Sequence, residues 1–441
     1  MTALLIFSLL FLLMLTGMPV SIALRLTVLG ILFLLTNVPL DAVALKLFTG
    51  LDKFEIMAVP FFVLAGSFLT HGGVARRMIR FATAAVGHWP GGLGIAAVFA
   101  CAIFAAVSGS SPATVAAIGA ILVPEMIRRG YPAAFGAGTI VSAGALGILI
   151  PPSIVMVLYS VATSGMSATG PAGEKVSAAS VDDLFMAGVV PGLTLALLLG
   201  LVTWQRAWTE GIPRGERASW SECGRAFLDS FWGLLLVVVV LGGIYAGLYT
   251  ATEAAAMSAV YAFLVAVFVY SDLPLKDVPR VLVEAANMSA MLLYIITNAV
   301  LFSFLLTHEQ IPQAIAGWLS AQGLGWISFL LAVNALMLVA GMVMEPASVT
   351  LILAPILFPV AARLGIHPVH LGIILVVNME IGMITPPVGL NLYVGSGITG
   401  LGLTDMSRAT LPWLAAMLGF LMLVTFFPEL SLLLPRRLGM L

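Results

Sequence analysis

The sequence predicts an all-α integral membrane protein built on an inverted repeat, with two re-entrant helical hairpins and two broken transmembrane helices. Three observations predict it. The chain is too apolar for water: 61% of its 441 residues are hydrophobic, 9% are charged and mean hydropathy is +1.13. An ordinary soluble protein carries about 25% charged residues. The apolar runs are punctuated by 44 glycines and 24 prolines, more than plain membrane helices need. The punctuation recurs, with landmarks of the first half returning about 235 residues later.

Composition excludes several classes. A net charge of −1 argues against nucleic acid as a partner. Cys101 and Cys223 give neither a disulfide framework nor a metal cluster, and no HExxH or CxxC occurs. The apolar runs are continuous, whereas barrel strands alternate. No Lys or Arg precedes Arg25, so residues 3–16 read as a first membrane helix rather than a cleaved signal.

A span needs about 20 apolar residues. Candidates are 3–17, 20–37, 52–70, 184–204, 229–249, 252–271, 283–306 and 411–433. Two longer runs, Phe81–Pro124 and Gly130–Gly173, contain no charged residue. The first is broken at Ser108-Gly109-Ser110-Ser111-Pro112. The limb from Gly92 to Ser108 is then only ~24 Å long at 1.5 Å per residue, too short to cross comfortably. A re-entrant hairpin with its tip at Ser108–Pro112 fits better. Residues 134–163 form one span, interrupted at Gly147–Pro152.

The second half repeats these landmarks. Thr70-His71 matches Thr307-His308, Pro112 matches Pro346, Pro124 matches Pro359, Pro132 matches Pro368, and Pro151-Pro152 matches Pro386-Pro387. Charge sets the relative orientation. Arg76, Arg77, Arg80, Arg128 and Arg129 flank the first hairpin, and Arg363 alone flanks the second. By the positive-inside rule the first copy opens to the cytoplasm and the second to the opposite side. The basic loop 205–226, with Arg206, Arg214, Arg217 and Arg225, agrees with this. Arg436 and Arg437 do not, because counting spans puts the C-terminus outside.

Broken helices free backbone groups that lipid cannot satisfy, and paired breaks point to a transporter site. Carbonyls and hydroxyls at a tip suit a hard cation such as Na⁺, and helix N-termini suit an anionic substrate. The first site draws on Ser108, Ser111, Gly147, Ile150 and Pro152. The second draws on Gly341, Met344, Gly382, Thr385 and Val388. Small residues at helix contacts also serve packing alone. Candidates for substrate are Ser110, Thr114, Glu345, Asn378 and Asn391. Glu345 also reads as a helix cap, and Glu380 is a second intramembrane acid. Glu253 reads as an N-terminal cap, and His71 and His308 as structural turns.

These stretches resemble the large membrane subunit of tripartite ATP-independent periplasmic (TRAP) transporters, the DctM-like family. The resemblance lies in Gly17–Ala23, Pro60–Gly66, Ser108–Thr114, Gly147–Ser153, Ala251–Ala255 and Gly382–Gly389, in order along nearly the whole chain. It implies a secondary transporter of the bacterial inner membrane that imports small carboxylates, such as a C4-dicarboxylate, sugar acid or keto acid. It also implies two or more coupling Na⁺ ions, an elevator-type mechanism, a small four-helix membrane subunit and a periplasmic substrate-binding protein. The family's sodium ligands fall on the positions given above, except Met344.

The implied division is scaffold helices 1–70, a first amphipathic arm 71–89, and transport-domain repeat 1 over 90–170. Scaffold 171–306 follows, then a second arm 307–323, transport-domain repeat 2 over 324–400, and a C-terminal scaffold helix over 401–441. Rival readings are a stand-alone sodium/dicarboxylate symporter, an intramembrane enzyme and a channel. No catalytic triad or paired catalytic Asp marks the broken helices, and the internal repeat suits alternating access better than a pore.

Overall fold

The computed structural model describes residues 2–36, 38–212, 214–311, 314–315, 317 and 325–440. Among these, nine helical stretches are long and apolar enough to cross a membrane. The chain opens with α1 (Thr2–Leu15), α2 (Val20–Leu35) and α3 (Leu40–Leu51), then α4 (Ala58–His71) and the amphipathic α5 (Val74–Val86). Next come α6 (Gly92–Ser108) and α7 (Ser111–Arg128), which pack together as the first hairpin. α8 (Ala133–Gly144) runs through a 3-10 turn into a break before α9 (Ile154–Thr163). Two long helices follow, α10 (Val181–Thr209) and α11 (Trp220–Tyr245), then the shorter α12 (Ala251–Leu264) and the still longer α13 (Val278–His308).

The second half repeats the first. α14 (Trp326–Val343) and α15 (Pro346–Arg363) form the second hairpin, and α16 (Pro368–Gly382) and α17 (Leu390–Thr399) form the second interrupted helix. Their first residues lie 234, 235, 235 and 236 positions after those of α6, α7, α8 and α9. Both interruptions hold a cis Pro–Pro bond, Pro151–Pro152 and Pro386–Pro387. α18 (Leu403–Phe426) and α19 (Glu429–Arg437) close the chain. The expected single helix 411–433 is therefore two helices, parted at Phe427-Pro428, where a proline follows a non-helical residue.

Capping fixes where the long helices start. Ser180 with Asp183, Ser219 with Glu222 and Thr250 with Glu253 each form a reciprocal box, in which the side chains bond each other's backbone N–H. Glu253 is thus the cap that the sequence suggests. Lys53 Nζ donates to Val161 O and Ser164 O at 3.3 and 3.2 Å, adding a cationic donor to the carbonyls where α9 ends. One feature departs from all-α. Ser167–Thr169 and Lys175–Ser177 form a two-stranded hairpin, β1 and β2, turned by Gly170, Pro171 and the left-handed Gly173. The second arm, 307–323, begins in the last turn of α13 and otherwise lies largely outside the described residues.

The hairpin mouths lie at opposite ends. Beside the first mouth, Pro90 bridges to Arg214 in the loop after α10. At the second mouth, Gly365, Ile366 and His367 share a cavity of about 460 Å³ with Asp183, at the start of α10. α10 has 29 residues and so separates those ends by roughly 43 Å. Arg76, Arg80, Arg128, Arg129, Arg214 and Arg217 line one cavity at the first end. Arg436 lies at the other, as span counting implies.

Candidate functional site

The first tip forms where α6 stops. Gly109 adopts φ 60°, the left-handed geometry that ends helices, and Ser110 is extended. Pro112, in the first turn of α7, restarts the helix where its missing N–H costs nothing. Ser108 Oγ lies 2.9 Å from Thr114 Oγ1, and the Thr114 hydroxyl donates to Ser110 O at 2.8 Å. Ser108, Ser111 and Thr114 are buried.

This tip rests on the first break. A Cβ on Gly147 would stand 2.6 Å from Ser110 O and 2.8 Å from Ser111 Cα, and one on Gly109 would stand 2.9 Å from Pro152 O. The structure therefore brings Ser108, Ser110, Ser111, Thr114, Gly147 and Pro152 together. The Ile150 side chain packs toward Gly192 of α10. Ser153 caps α9, donating to Ile148 O at 2.5 Å and accepting from Met156 N. Gly66 of α4 brings its backbone up behind Ser108, whose carbonyl would lie 3.0 Å from an added Cβ.

The second tip has different local chemistry. It has no left-handed glycine: Met344 and Glu345 are both extended before Pro346. Its contact with the second break is main chain on main chain. A Cβ on Gly382 would meet Gly341 Cα at 2.7 Å, and Val388 N–H donates to Met342 O at 3.1 Å. Gly341, Gly382 and Val388 are thus gathered. Thr385 is half-buried and its hydroxyl donates to Ile381 O at 2.7 Å. Met344 is half-buried among apolar neighbours. Glu345 occupies the cap position of α15 and accepts the Ser348 hydroxyl at 3.0 Å, without a side-chain bond to the helix N–H groups.

The two asparagines differ. Asn391, in the first turn of α17, donates to Ser111 Oγ at 2.7 Å and to Val141 O at 3.4 Å, so it joins the two repeats. Asn378 instead donates to Asn334 Oδ1 at 2.8 Å and to Ile374 O, and Asn334 donates to Thr425 Oγ1 at 2.9 Å. That chain ties α16 to α14 and α18 rather than reaching the Ser111 tip.

Sequence reasoning singled out Asn391 and Glu380 but missed Ser142 and Thr350. The Oγ of Ser142, the Oγ1 of Thr350, the Oδ1 of Asn391 and both carboxylate oxygens of Glu380 are buried with no hydrogen-bond partner among the described residues. Leaving such groups unpaired costs several kcal/mol on the order of apolar-transfer values. The helices of Ser142 and Thr350 are buried on most of their faces, so no stripe of polarity marks these two in the sequence.

The N-termini of α7, α9 and α17 converge here. Ser111 begins α7, Asn391 lies in the first turn of α17, and an added Cβ on Gly109 would lie 3.7 Å from the N of Ile154, which begins α9. Helix N-termini carry free N–H groups and the positive end of the macrodipole, which favours anions.

Residues 7–430 match the family model described as the tripartite ATP-independent periplasmic transporter, DctM component. The chain is 67% identical over 440 residues to the C4-dicarboxylate TRAP transporter large permease protein DctM of Rhodobacter capsulatus, covering 100% of both chains. It is 54% identical over 399 residues to the protein of that name from Pseudomonas aeruginosa, covering 90% of each. Among solved structures it resembles the Alcanivorax borkumensis YdaH transporter, with a TM-score of 0.65 at 16% identity over 89% of this chain and 90% of that one. That likeness speaks to fold alone.

Proposed function

The chain belongs to the DctM component family of the tripartite ATP-independent periplasmic transporters, and we propose that it imports C4-dicarboxylates by Na⁺-coupled alternating access. As a member it is a multi-pass membrane permease subunit, not an enzyme. Its proposed location is the bacterial inner membrane. Its proposed partners are a small membrane subunit and a periplasmic binding protein that delivers the substrate. The choice of a C4-dicarboxylate rests on the 67% identity to a relative named for that cargo.

The observation that carries the mechanism is the seating of each tip on its own break, with Asn391 joining the two repeats. In the proposed cycle Na⁺ takes oxygen ligands from Ser108, Ser111, Gly147, Ile150 and Pro152. A second Na⁺ takes them from Gly341, Met344, Gly382, Thr385 and Val388. Ion binding holds each tip down. The substrate carboxylates then face the N-termini of α7, α9 and α17, near Ser110, Thr114 and Asn391. Glu345, at the second tip, takes part in ion balance rather than carboxylate binding, because like charges repel. The hairpins are re-entrant in this scheme. With α8, α9, α16 and α17 they slide as one transport unit against α4, α10–α13 and α18, with α5 as a hinge.

The test is uptake of labelled succinate into proteoliposomes holding the full three-component assembly. An inward Na⁺ gradient is expected to drive accumulation. Equal accumulation with K⁺ in place of Na⁺ would sink the coupling. A nine-carbon sugar acid carried in preference to succinate would overturn the substrate assignment.

A further inference from the structure

We propose that the arginine-lined cavity at the basic end binds the phosphodiester headgroup of an anionic phospholipid. The cavity measures about 820 Å³ and lies between α5, the end of α7 and the loop after α10. Three separate segments supply its arginines: Arg76 and Arg80, Arg128 and Arg129, Arg214 and Arg217.

The three glutamates in its lining offset the six arginines only in part. Glu125 is engaged by Arg128 at 2.5 Å and Arg129 at 2.7 Å. Glu222 is turned to its own helix cap, accepting from Ser219 N at 2.7 Å. Arg76 reaches Asp272 at 4.0 Å. Among the described residues no ion pair holds Arg80, Arg214 or Arg217, and Glu216 is the one lining glutamate left to face them. Crowded guanidinium groups repel one another. A planar fork of N–H donors matches phosphate oxygens, so one bridging phosphodiester relieves the repulsion and satisfies several donors.

Two further features select a lipid over a soluble anion. Beside the arginines the lining includes apolar side chains, Ile79, Leu93, Ile121 and Leu122, of which Ile121 is 38% exposed and open to an acyl chain. The same end of the bundle carries four exposed tryptophans: Trp89 before α6, Trp204 and Trp208 in the last turns of α10, and Trp220 opening α11. Tryptophan belts mark the headgroup level of a bilayer, and basic pockets at that level on the cytoplasmic side hold anionic headgroups. The site also joins α5 and the loop to the hairpin limb α7, elements that the proposed cycle moves past each other. The binding claim itself does not depend on that cycle.

The test reconstitutes the permease with its small subunit into nanodiscs of phosphatidylcholine doped with phosphatidylglycerol, and counts retained lipid by native mass spectrometry. The wild type is expected to retain phosphatidylglycerol over phosphatidylcholine. The triple variant Arg80→Gln/Arg214→Gln/Arg217→Gln is expected to lose that preference about tenfold. The pair Arg436→Gln/Arg437→Gln, at the other end, is expected to leave it unchanged. If the triple variant fails to fold, Arg214→Gln and Arg217→Gln, both in the loop, are measured singly and each is expected to lower the preference. Undiminished retention in the loop variants or the triple variant overturns the site. Thermal stabilisation by soluble glycerol phosphate equal to that by phosphatidylglycerol overturns the assignment to lipid.

Discussion

Asn391 Nδ2 donates to Ser111 Oγ at 2.7 Å across 280 positions of chain. Ser111 begins a limb of the first hairpin and Asn391 begins the helix after the second break, so one bond spans both repeats. Asn391→Ala leaves the buried Ser111 without this donor and is expected to cost about 1–3 kcal/mol. Because Ser111 is a proposed Na⁺ ligand, the Na⁺ concentration for half-maximal uptake is expected to rise severalfold. Thermal unfolding and uptake, each titrated with Na⁺, check this. A lower melting temperature with unaltered Na⁺ dependence would reduce the pair to packing.

Gly147 and Gly382 are the points where break meets tip. In an ordinary exposed helix position, alanine for glycine gains up to about 1 kcal/mol. Here the new Cβ strikes main chain, Ser110 at 2.6 Å or Gly341 at 2.7 Å, and main chain yields poorly. Gly147→Ala and Gly382→Ala are each expected to destabilise by about 1–3 kcal/mol and to abolish stabilisation by Na⁺. Gly397→Ala, with open space around its Cβ, is the control. Melting temperatures in Na⁺ and in K⁺ separate the outcomes.

Asn378 acts as a tie between helices. Its partners are Asn334 and, through it, Thr425. Asn378→Leu is expected to lower stability by about 1–3 kcal/mol, since Asn334 loses a buried partner, while the half-saturating substrate concentration stays within twofold of wild type. A tenfold rise in that concentration at unchanged stability would instead make Asn378 a substrate ligand.

His367 sits at the mouth of the second hairpin. Burial, with the nearby Arg436 guanidinium, holds its imidazole below the usual histidine range, while Asp183 pulls the other way. Removing a cation favours the protonated ring, so Arg436→Gln is expected to move the titration upward. Asp183→Asn is expected to move it downward. Histidine-selective NMR across pH 4–8 reads both shifts.

The punctuation of the chain was readable because it is local. Ser-Gly-Ser-Ser-Pro and the Pro-Pro pairs stop helices wherever they occur, so the tips and breaks stood at their sequence positions. α5 was readable because its arginines fall on one face. α16 was readable in position, from Pro368 and the Pro386-Pro387 pair, but not in its neighbours, because all of its 15 residues are buried and no polar stripe betrays them. The bonds of Asn391 and Asn378 cross 280 and 44 positions, and nothing local encodes such pairings. The β1–β2 hairpin was overlooked because its strands have three residues each, below any readable alternation. The split between α18 and α19 followed Pro428, which the apolar run around it concealed.

Gly341 and Gly382 touch backbone to backbone, with no side chain between them. A contact of that kind is written in the path of the chain rather than in the identity of any one group. Neighbouring side chains can be exchanged without retuning it, while a single added methyl at either glycine is felt at once. In the proposed cycle this contact is where ion binding is felt, and a change at the cargo-facing side chains leaves it intact.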